Sequence, residues 1–206
     1  MGELMKGKRG LVMGVANDRS IAWGIARALA DQGAELAFSY QGEAFGKRVE
    51  PLAASLGSDF LMDVDVLDDD SLARAFDQIG ARWGSLDFLV HAIAFSNKDE
   101  LTGRFMNTSR ENFKNSLDIS CYSLIEVARR AHPLMADGGS ILTLTYGGSN
   151  RVTPFYNVMG VAKAALEAMA RTYAAETATT PVRVNLFSPG PTRTRMRATA
   201  MPGEDP

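Results

Sequence analysis

The sequence has little of what disulfide-stapled proteins, metal centres and membrane spans require. A single cysteine, Cys121, stands among 206 residues, so an internal disulfide and a cysteine-based metal site are both excluded. Only two histidines occur, and no apolar run reaches the 18 residues that suggest a membrane-spanning helix. Neither charge dominates, because 22 basic and 24 acidic side chains leave a net charge of −2. This balance provides no basic field for nucleic acid or for an anionic membrane surface.

The remaining composition is that of an ordinary globular protein. Hydrophobic residues make up 46% and charged residues 22%, and the length suits one domain with a full hydrophobic core. Residues 1–9 contain no apolar signal region, and we therefore expect a cytoplasmic protein. No metal site is expected, because the acidic run from Asp68 to Asp70 falls where carboxylates would open a helix.

Short β-rich runs alternate with periodic apolar segments along the chain. This order predicts an α/β fold with a mostly parallel, doubly wound sheet. Since the sequence shows no internal repeat, linker or separate substrate domain, we expect residues 1–206 to form one Rossmann-like dinucleotide-binding domain. Six strands are predicted: Arg9 to Met13, Glu35 to Ser39, Asp59 to Met62, Leu86 to His91, Ser140 to Leu144 and Val182 to Phe187.

The segment after the first predicted strand is suited to a phosphate. In doubly wound sheets, ligands bind beyond the carboxyl ends of the strands, where the strand order reverses. Here Gly14 permits a tight turn, and Ser20 is positioned to cap a helix that begins near Ile21. The free amides and the dipole at that helix start would face a pyrophosphate. No G-x-G-x-x-G motif is present, so an ordinary strand-to-helix turn is an equal alternative.

The second predicted strand leads into Gln41, where dinucleotide sites often place an acid on the adenosine ribose. Gln41 is neutral, so it can bind a free 2′-hydroxyl and neither repels nor clamps a 2′-phosphate. This favours NADH over NADPH. Because Lys47 and Arg48 follow closely in the sequence, NADPH remains the weaker alternative.

The third and fourth strand ends also offer candidate side chains. Asp65, followed by Val66, could accept a hydrogen bond from an adenine amino group. The residues around Ile93 are small enough for a nucleoside to come close. His91 lies at the same strand end, but a histidine beside apolar residues is more typical of a packed, hydrogen-bonded side chain.

Tyr146, Tyr156 and Lys163 form the most informative constellation in the sequence. On a helix, the seven residues between Tyr156 and Lys163 are almost two turns, so the phenol and the ammonium would project from one face. A cation held close favours the phenolate, and we expect Lys163 to lower the pKa of Tyr156. Such a pair can polarise and protonate a carbonyl oxygen. A lone Tyr-x6-Lys pattern also occurs by chance, in which case the helix simply buries an aromatic ring and solvates a lysine.

These segments together resemble the short-chain dehydrogenase/reductase superfamily and, within it, the bacterial enoyl-acyl-carrier-protein reductase (FabI) family. The resemblance extends from the N-terminus to about Tyr173. Ordinary members of the superfamily place a serine where Tyr146 falls, so the three-residue constellation is much narrower than the superfamily pattern. The matching segments are Gly14 to Gly24, Glu35 to Gln41, Asp118 to Ser123 and Tyr156 to Glu167.

The resemblance implies NADH-dependent reduction of trans-2-enoyl thioesters on acyl carrier protein, in fatty-acid elongation. By position, Tyr156 would bind the thioester carbonyl and stabilise the enolate, Lys163 would hold the nicotinamide ribose, and Tyr146 would lie near the substrate. A homo-oligomer, a tetramer in the family, is also implied. The residues expected to bind the dinucleotide are Gly14, Ser20, Ile21, Gln41, Asp65, Val66, Ile93, Lys163, Pro191, Thr192 and Thr194.

The final thirty residues resemble a different short-chain dehydrogenase branch, and Thr192 stands where the enoyl reductases usually have an apolar residue. The seventh strand and the substrate-covering segment of the family are not evident, so we expect a domain that is incomplete at its C-terminus. Two other interpretations remain open. One is a general ketone or alcohol oxidoreductase, favoured by this final segment. The other is a catalytically incompetent cofactor-binding fragment or composite chain, favoured by the early stop.

Overall fold

The computed structural model of the chain describes residues 2–190, 192–194 and 197–198. Within them, six parallel strands form one sheet and helices connect successive strands. A π-helical segment, Asp118–Tyr122, joins two of the helices. The strands are β1 (Arg9–Met13), β2 (Glu35–Tyr40), β3 (Leu61–Asp63), β4 (Phe88–His91), β5 (Gly139–Leu144) and β6 (Val182–Phe187). The helices are α1 (Ile21–Asp31), α2 (Glu43–Ser55), α3 (Asp69–Trp83), α4 (Lys98–Leu101), α5 (Arg110–Leu117), α6 (Ser123–Ala131) and α7 (Asn157–Glu176).

The strand order is β3-β2-β1-β4-β5-β6, and every neighbouring pair is parallel. The chain therefore builds the sheet outward in one direction from β1 and then in the other direction from β4. The order reverses between these two central strands, which pair in the register Val12 to Val90. This confirms the predicted doubly wound α/β fold. It also places the expected ligand crevice at the carboxyl ends of β1 and β4.

The predicted starts of β3 and β4 are each two residues too early, and three other predicted strand boundaries differ from the structure by one residue. The amide of Leu86 donates to the carbonyl of Leu134 at 2.8 Å, outside the sheet, so β4 begins two residues later than predicted. The third strand begins at Leu61 rather than Asp59. Phe60, one residue before β3, is already bonded to β2, because its carbonyl accepts from the amide of Phe38 at 2.9 Å.

Both faces of the sheet are covered, and the central strand shows why. Successive side chains of a strand point to opposite faces. Leu11 and Met13 accordingly pack in one core cluster with residues of α3, α6 and α7, while Val12 packs in a second cluster with residues of α1 and α2. Each cluster buries the apolar side of its helices, which holds the carboxyl ends of the strands in fixed positions.

The acidic run at the start of α3 serves as a helix cap, as predicted. Asp68 lies at the cap position, and its carboxylate accepts from the amide of Asp70 at 2.9 Å. Among the described residues, no three His, Cys, Asp or Glu side chains gather in a way that could hold a metal ion. Over the same part of the chain, no helix has both the length and the hydropathy that crossing a membrane requires.

Candidate active site

The turn after β1 is built by close backbone contact. Gly14 has a φ of +97°, and a Cβ atom there would lie 2.0 Å from the carbonyl oxygen of Ala92. Any side chain at residue 14 would therefore collide with the segment after β4. Glycine satisfies both the backbone conformation and the contact. The two loops at the reversal of strand order consequently meet main chain to main chain, as the tight turn predicted at Gly14 requires.

The start of α1 keeps its amides available. Ser20 occupies the cap position in an extended conformation, but its hydroxyl donates to the carbonyl of Asn17 at 2.6 Å. In residues 2–190, this hydroxyl caps no amide of α1, so the predicted side-chain cap is wrong. The hydroxyl oxygen accepts instead from the amide of Ala16, which precedes the helix, at 3.4 Å. The helix that begins at Ile21 thus presents uncapped amides and its positive dipole end beside the Gly14 turn, which suits a pyrophosphate.

The loop after β2 places Gln41 at the surface. The two cations that follow it on α2 are already engaged on their own helix. Lys47 pairs with Glu43 at 2.6 Å, and the guanidinium of Arg48 stacks 4.6 Å from the centre of the Phe45 ring. These surface contacts orient both charges along α2, and Gln41 is the residue that directly follows β2, which favours the interpretation that Gln41 sets the cofactor preference at this strand end.

Three further predicted cofactor residues lie at the carboxyl ends of β3 and β4. One carboxylate oxygen of Asp65 accepts from the amide of Leu67 at 2.9 Å and closes a short turn. Val66 and Ile93 are partly buried and pack against the core cluster that contains Leu11. The structure therefore brings Asp65, Val66 and Ile93 to the same edge of the sheet as Gly14.

A polar row that the sequence reasoning missed fixes the loop after β4. Buried Asn112 accepts from the amide of Asn97 at 2.7 Å. Buried Ser120 accepts from the amide of Phe95 at 2.9 Å and donates to its carbonyl at 3.0 Å. Ser116 lies between them along the helix and is also fully buried. The spacing of four residues could have indicated this row from the sequence, because it puts three polar side chains on one helical face.

Lys163 lies inside α7 and points at the end of β5. Its side chain is only 6% exposed, and its ammonium donates to the carbonyl of Leu144 at 2.7 Å. Burial lowers the pKa of Lys163 to about 8, against an opposing effect of Cys121. The lysine is therefore a fixed, buried group at the end of β5 rather than a solvated one.

Tyr156 lies at the residue before α7, and its ring contacts that of Tyr146. The two ring centres are 5.1 Å apart and the planes are inclined by 66°. A Cβ atom at Gly148 would lie 2.4 Å from the Tyr156 ring, so only glycine allows this packing. Burial raises the pKa of Tyr156 well above its ordinary value, and Tyr146 adds to the rise. The predicted lowering by Lys163 is wrong, because the sequence gives the neighbours of a phenol but not its burial.

The backbone on both sides of Tyr156 is strained. Phe155 has a φ of +58° and Asn157 a φ of +22°, and neither residue is glycine. The side-chain amide of Asn157 donates to the carbonyl of Glu100 at 3.0 Å, which ties this backbone to α4. Strained positions of this kind cluster at functional sites, where surrounding contacts enforce them. Nothing in the sequence pattern indicated this feature.

His91 is a structural residue, as predicted. It is fully buried between two hydroxyls, with Nε2 2.9 Å from Ser123 Oγ and Nδ1 3.1 Å from Thr143 Oγ1. Burial, together with the nearby Lys163, lowers the pKa of His91 to about 3. The imidazole is therefore neutral at physiological pH and cross-links β4, β5 and α6.

The segment after β6 contacts Tyr146. Pro191 lies outside the described residues. The hydroxyl of Thr192 donates to the carbonyl of Gly190 at 2.9 Å, and that of Thr194 accepts from the amide of Arg197 at 3.1 Å. A guanidinium nitrogen of Arg197 donates to the Tyr146 hydroxyl at 3.3 Å. The structure thus brings this predicted cofactor segment and Tyr146 together.

Comparisons with known proteins agree with this geometry. The family model for enoyl-(acyl carrier protein) reductase matches residues 14–206, a range that includes the final thirty residues. The enoyl-[acyl-carrier-protein] reductase [NADH] 2 of Rhizobium meliloti is 61% identical over 194 residues, which cover 94% of this chain and 72% of that protein.

Two solved structures superimpose closely on the chain. One is the enoyl-(acyl-carrier-protein) reductase of Anaplasma phagocytophilum in complex with NAD. It is 54% identical with a TM-score of 0.92, and the match covers 94% of this chain and 74% of that one. The other is the enoyl-acyl carrier protein reductase of Bacillus cereus with NADP+ and indole naphthyridinone. It is 45% identical with a TM-score of 0.93, and the match covers 98% and 79% of the two chains.

Proposed function

Because this chain belongs to the enoyl-(acyl carrier protein) reductase family, we propose that it reduces trans-2-enoyl thioesters on acyl carrier protein with NADH, in fatty-acid biosynthesis. The observation that carries the proposal is the packing of Tyr146 against Tyr156 at the end of β5, where Lys163 is also anchored. The proximity of two phenols and a buried ammonium supports the proposal that this strand end receives the substrate carbonyl.

The residues present fit a dinucleotide. Gly14 lets the turn after β1 close against the carbonyl of Ala92, and the start of α1, which no side chain of the described residues caps, follows that turn. We assign the pyrophosphate to these amides, the adenosine ribose to Gln41 and the nicotinamide ribose to Lys163. The remaining candidate contacts are with Ser20, Ile21, Asp65, Val66 and Ile93 and, near the nicotinamide carboxamide, Pro191, Thr192 and Thr194. When bound, NADH supplies the hydride.

Tyr156 acts as a hydrogen-bond donor in this proposal. As hydride adds to the β-carbon of the substrate, negative charge develops on the thioester oxygen, and the Tyr156 hydroxyl donates to that oxygen. A donor already in place costs no reorganisation when the charge develops. The raised pKa of Tyr156 keeps its proton on the phenol, so the group stays a donor at physiological pH. Protonation of the enolate at its α-carbon completes the saturated thioester.

The test of this function is oxidation of NADH by the purified protein with crotonyl-CoA and, separately, with acetoacetyl-CoA. We expect turnover with crotonyl-CoA at least about tenfold faster, because the pair of tyrosines replaces the serine and tyrosine of ketone reductases. Faster turnover with acetoacetyl-CoA would instead support a general ketone oxidoreductase. Binding of NADH without turnover of either thioester would support the cofactor-binding fragment.

The preference for NADH depends on Gln41 and on the engaged cations of α2. A 2′-phosphate beside neutral Gln41 would lack a paired positive charge, which is costly where water is displaced. Fluorescence titration should therefore show NADH binding at least about tenfold tighter than NADPH. Lys47→Ala and Arg48→Ala are the matched controls, and neither should change the affinity for NADPH. Equal binding of both cofactors would contradict the assignment of Gln41.

We also propose that copies of this chain associate. Three large side chains on the α5 to α6 face are exposed although apolar or aromatic: Phe113 by 41%, Tyr122 by 47% and Ile125 by 39%. The adjoining groove of about 540 Å³ carries Lys114 and Asp118 together, so a second copy related by a two-fold axis can pair opposite charges across it. Sedimentation should show an oligomer that Ile125→Glu weakens, whereas a monomer at micromolar concentration would contradict the proposal.

We further propose that residues 1–206 act as one dinucleotide-binding domain. Two core clusters on the two faces of a single sheet support it, because unfolding one face exposes the other. Urea unfolding should then give coincident transitions by circular dichroism and by fluorescence, and two separate transitions would contradict it. A cytoplasmic location stays a prediction.

A further inference from the structure

The end of β5 is attached to α7 at two points one helical turn apart. The ammonium of Lys163 donates to the carbonyl of Leu144 at 2.7 Å. The hydroxyl of Thr145, the next residue, donates to a carboxylate oxygen of Glu167 at 2.6 Å. Lys163 and Glu167 are four residues apart, so they share one face of the helix. Only the first of these anchors belongs to the site already described.

Thr145 is held on both sides. Its amide donates to the carbonyl of Phe187 in β6 at 3.0 Å, while its hydroxyl reaches α7. Thr145 is buried, and Tyr146 follows it directly with an extended backbone. In an extended segment, the direction of one side chain fixes the direction of the next. The contact between Thr145 and Glu167 therefore determines how Tyr146 leaves the strand.

The carboxylate of Glu167 is suited to this role. Its side chain is 22% exposed, and Arg171 lies 3.6 Å from its second oxygen. Burial acts to raise the pKa of Glu167, but the hydroxyls of Ser149 and Thr145 and the guanidinium of Arg171 outweigh it and leave the pKa below its ordinary value. The group is thus a charged acceptor, and hydrogen bonds to charged acceptors are the stronger ones.

We propose that Glu167 is a positioning residue for the reaction. It holds Thr145 from α7 and thereby fixes the hydroxyl of Tyr146 beside the reacting carbonyl, without touching the substrate itself. The inference rests on the proposed function, because it requires the substrate carbonyl to lie next to Tyr146.

Steady-state kinetics with crotonyl-CoA test the proposal in Glu167→Ala, Glu167→Gln and Thr145→Val. We expect Glu167→Ala to lower kcat about tenfold while the dissociation constant of NADH stays within about twofold, since one charged hydrogen bond is lost outside the cofactor site. Glu167→Gln keeps an acceptor for Thr145 and should retain most of the activity. Glu176→Ala removes an exposed carboxylate from the end of the same helix, so it is the matched control and should behave like the wild type.

Removal of the Tyr146 hydroxyl separates positioning from a merely structural role. In a Tyr146→Phe background, Glu167→Ala should lower kcat by less than about twofold, because the group that it positions is gone. An equal loss in both backgrounds would overturn the proposal. Thr145→Val removes the same contact from the other side. If Glu167→Ala does not fold, Thr145→Val is compared in the wild-type and Tyr146→Phe backgrounds. An equal loss of kcat in both would again overturn the proposal.

The wild-type protein distinguishes this proposal from the proposed function. If it reduces acetoacetyl-CoA rather than crotonyl-CoA, the proposed substrate is wrong, and the same variants compared on acetoacetyl-CoA still decide the role of Glu167. If the wild type turns over crotonyl-CoA and Glu167→Ala does so equally well, the proposed function stands and the positioning role is wrong. A wild type inactive with both thioesters overturns both.

Discussion

At the scale of single residues, the structure gives Tyr156 and Lys163 different surroundings and therefore different roles. Burial moves the pKa of the phenol further above neutral pH, whereas the ammonium is anchored on the carbonyl of Leu144. These are different tasks, although the sequence presents the two residues as one motif. The identity and spacing of the pair were visible in the sequence. The direction of the pKa shift was not, because it depends on how much water the fold removes.

Substitution of each residue should separate the two tasks. Tyr156→Phe removes a donor to the developing enolate and no cofactor contact, so we expect enoyl reduction to fall about a hundredfold, or about 3 kcal/mol, with NADH binding nearly intact. Lys163→Ala should weaken NADH binding as well as turnover. Steady-state kinetics and fluorescence titration measure the two effects. Equal, small losses of turnover in both variants would refute these roles.

Buried His91 predicts a loss of stability in acid. Its pKa is about 3 in the folded chain and about 6.5 when unfolded, so the unfolded chain binds the extra proton between these values. The stabilisation is complete above pH 6.5 and is lost as the pH falls towards 3, by on the order of 5 kcal/mol.

Urea unfolding at several pH values measures this dependence. In His91→Gln, the free energy of unfolding should depend less on pH between pH 3 and 6.5. The variant should also be less stable than the wild type at neutral pH. His132→Gln is the matched control, because His132 is only half-buried and bonds Tyr173 at 2.9 Å, away from the sheet. A curve for His91→Gln with the wild-type slope would show that another group causes the acid sensitivity.

At the scale of elements, the start of α7 is the least regular part of the site. Its strained backbone at Phe155 and Asn157 is held by the bond from Asn157 to Glu100. Asn157→Gly should relieve the strain and remove the bond, so that stability changes little while turnover falls. Asn157→Ala keeps the strain without the bond and should lose about 1 to 3 kcal/mol of stability as well as turnover.

Urea denaturation and kcat for the two variants distinguish these effects. Equal stability of Asn157→Gly and Asn157→Ala would show that the positive φ costs nothing. Unchanged turnover in both would show that Asn157 does not hold Tyr156 in place.

The elements themselves were largely predictable, and the exceptions have local causes. The β-rich runs identified the six strands found in the described part of the chain, since central parallel strands are apolar throughout. The expected cap at Ser20 failed because its hydroxyl faces the preceding turn, where it donates to the Asn17 carbonyl and accepts from the Ala16 amide. The row from Asn112 to Ser120 has a visible helical spacing. Its partner, the loop after β4, is distant in sequence and becomes apparent only in the fold.

At the scale of the whole molecule, ion pairs around the buried carboxylate of Glu126 join two helices of one layer. Glu126 on α6 pairs with Arg130 at 2.5 Å and is only 5% exposed, and Arg130 reaches Asp69 at the start of α3 at 3.5 Å. Arg130→Ala leaves the Glu126 carboxylate paired with Arg129 at 2.9 Å and bonded by the Tyr122 hydroxyl at 2.8 Å, so it removes one charged hydrogen bond and not the whole compensation. We expect the free energy of unfolding to fall by about 2 kcal/mol while the kcat of the folded enzyme is unchanged.

A paired substitution provides the control for this prediction. Glu126→Leu combined with Arg130→Met removes both charges at similar volume and should recover most of the loss. Thermal unfolding and kinetics on the three proteins test it. A double variant as unstable as Arg130→Ala would show that packing, not charge, dominates here.

The contact between Gly14 and Ala92 also bears on how such a site can change over evolutionary time. The collision that forbids a side chain at residue 14 comes from a carbonyl oxygen, and every amino acid carries one. Substitution at residue 92 therefore leaves the constraint on Gly14 in place. The base of the crevice is in this sense independent of side chains. Cofactor preference and acyl specificity can drift through residues such as Gln41 or Thr192 while the position offered to the pyrophosphate remains the same.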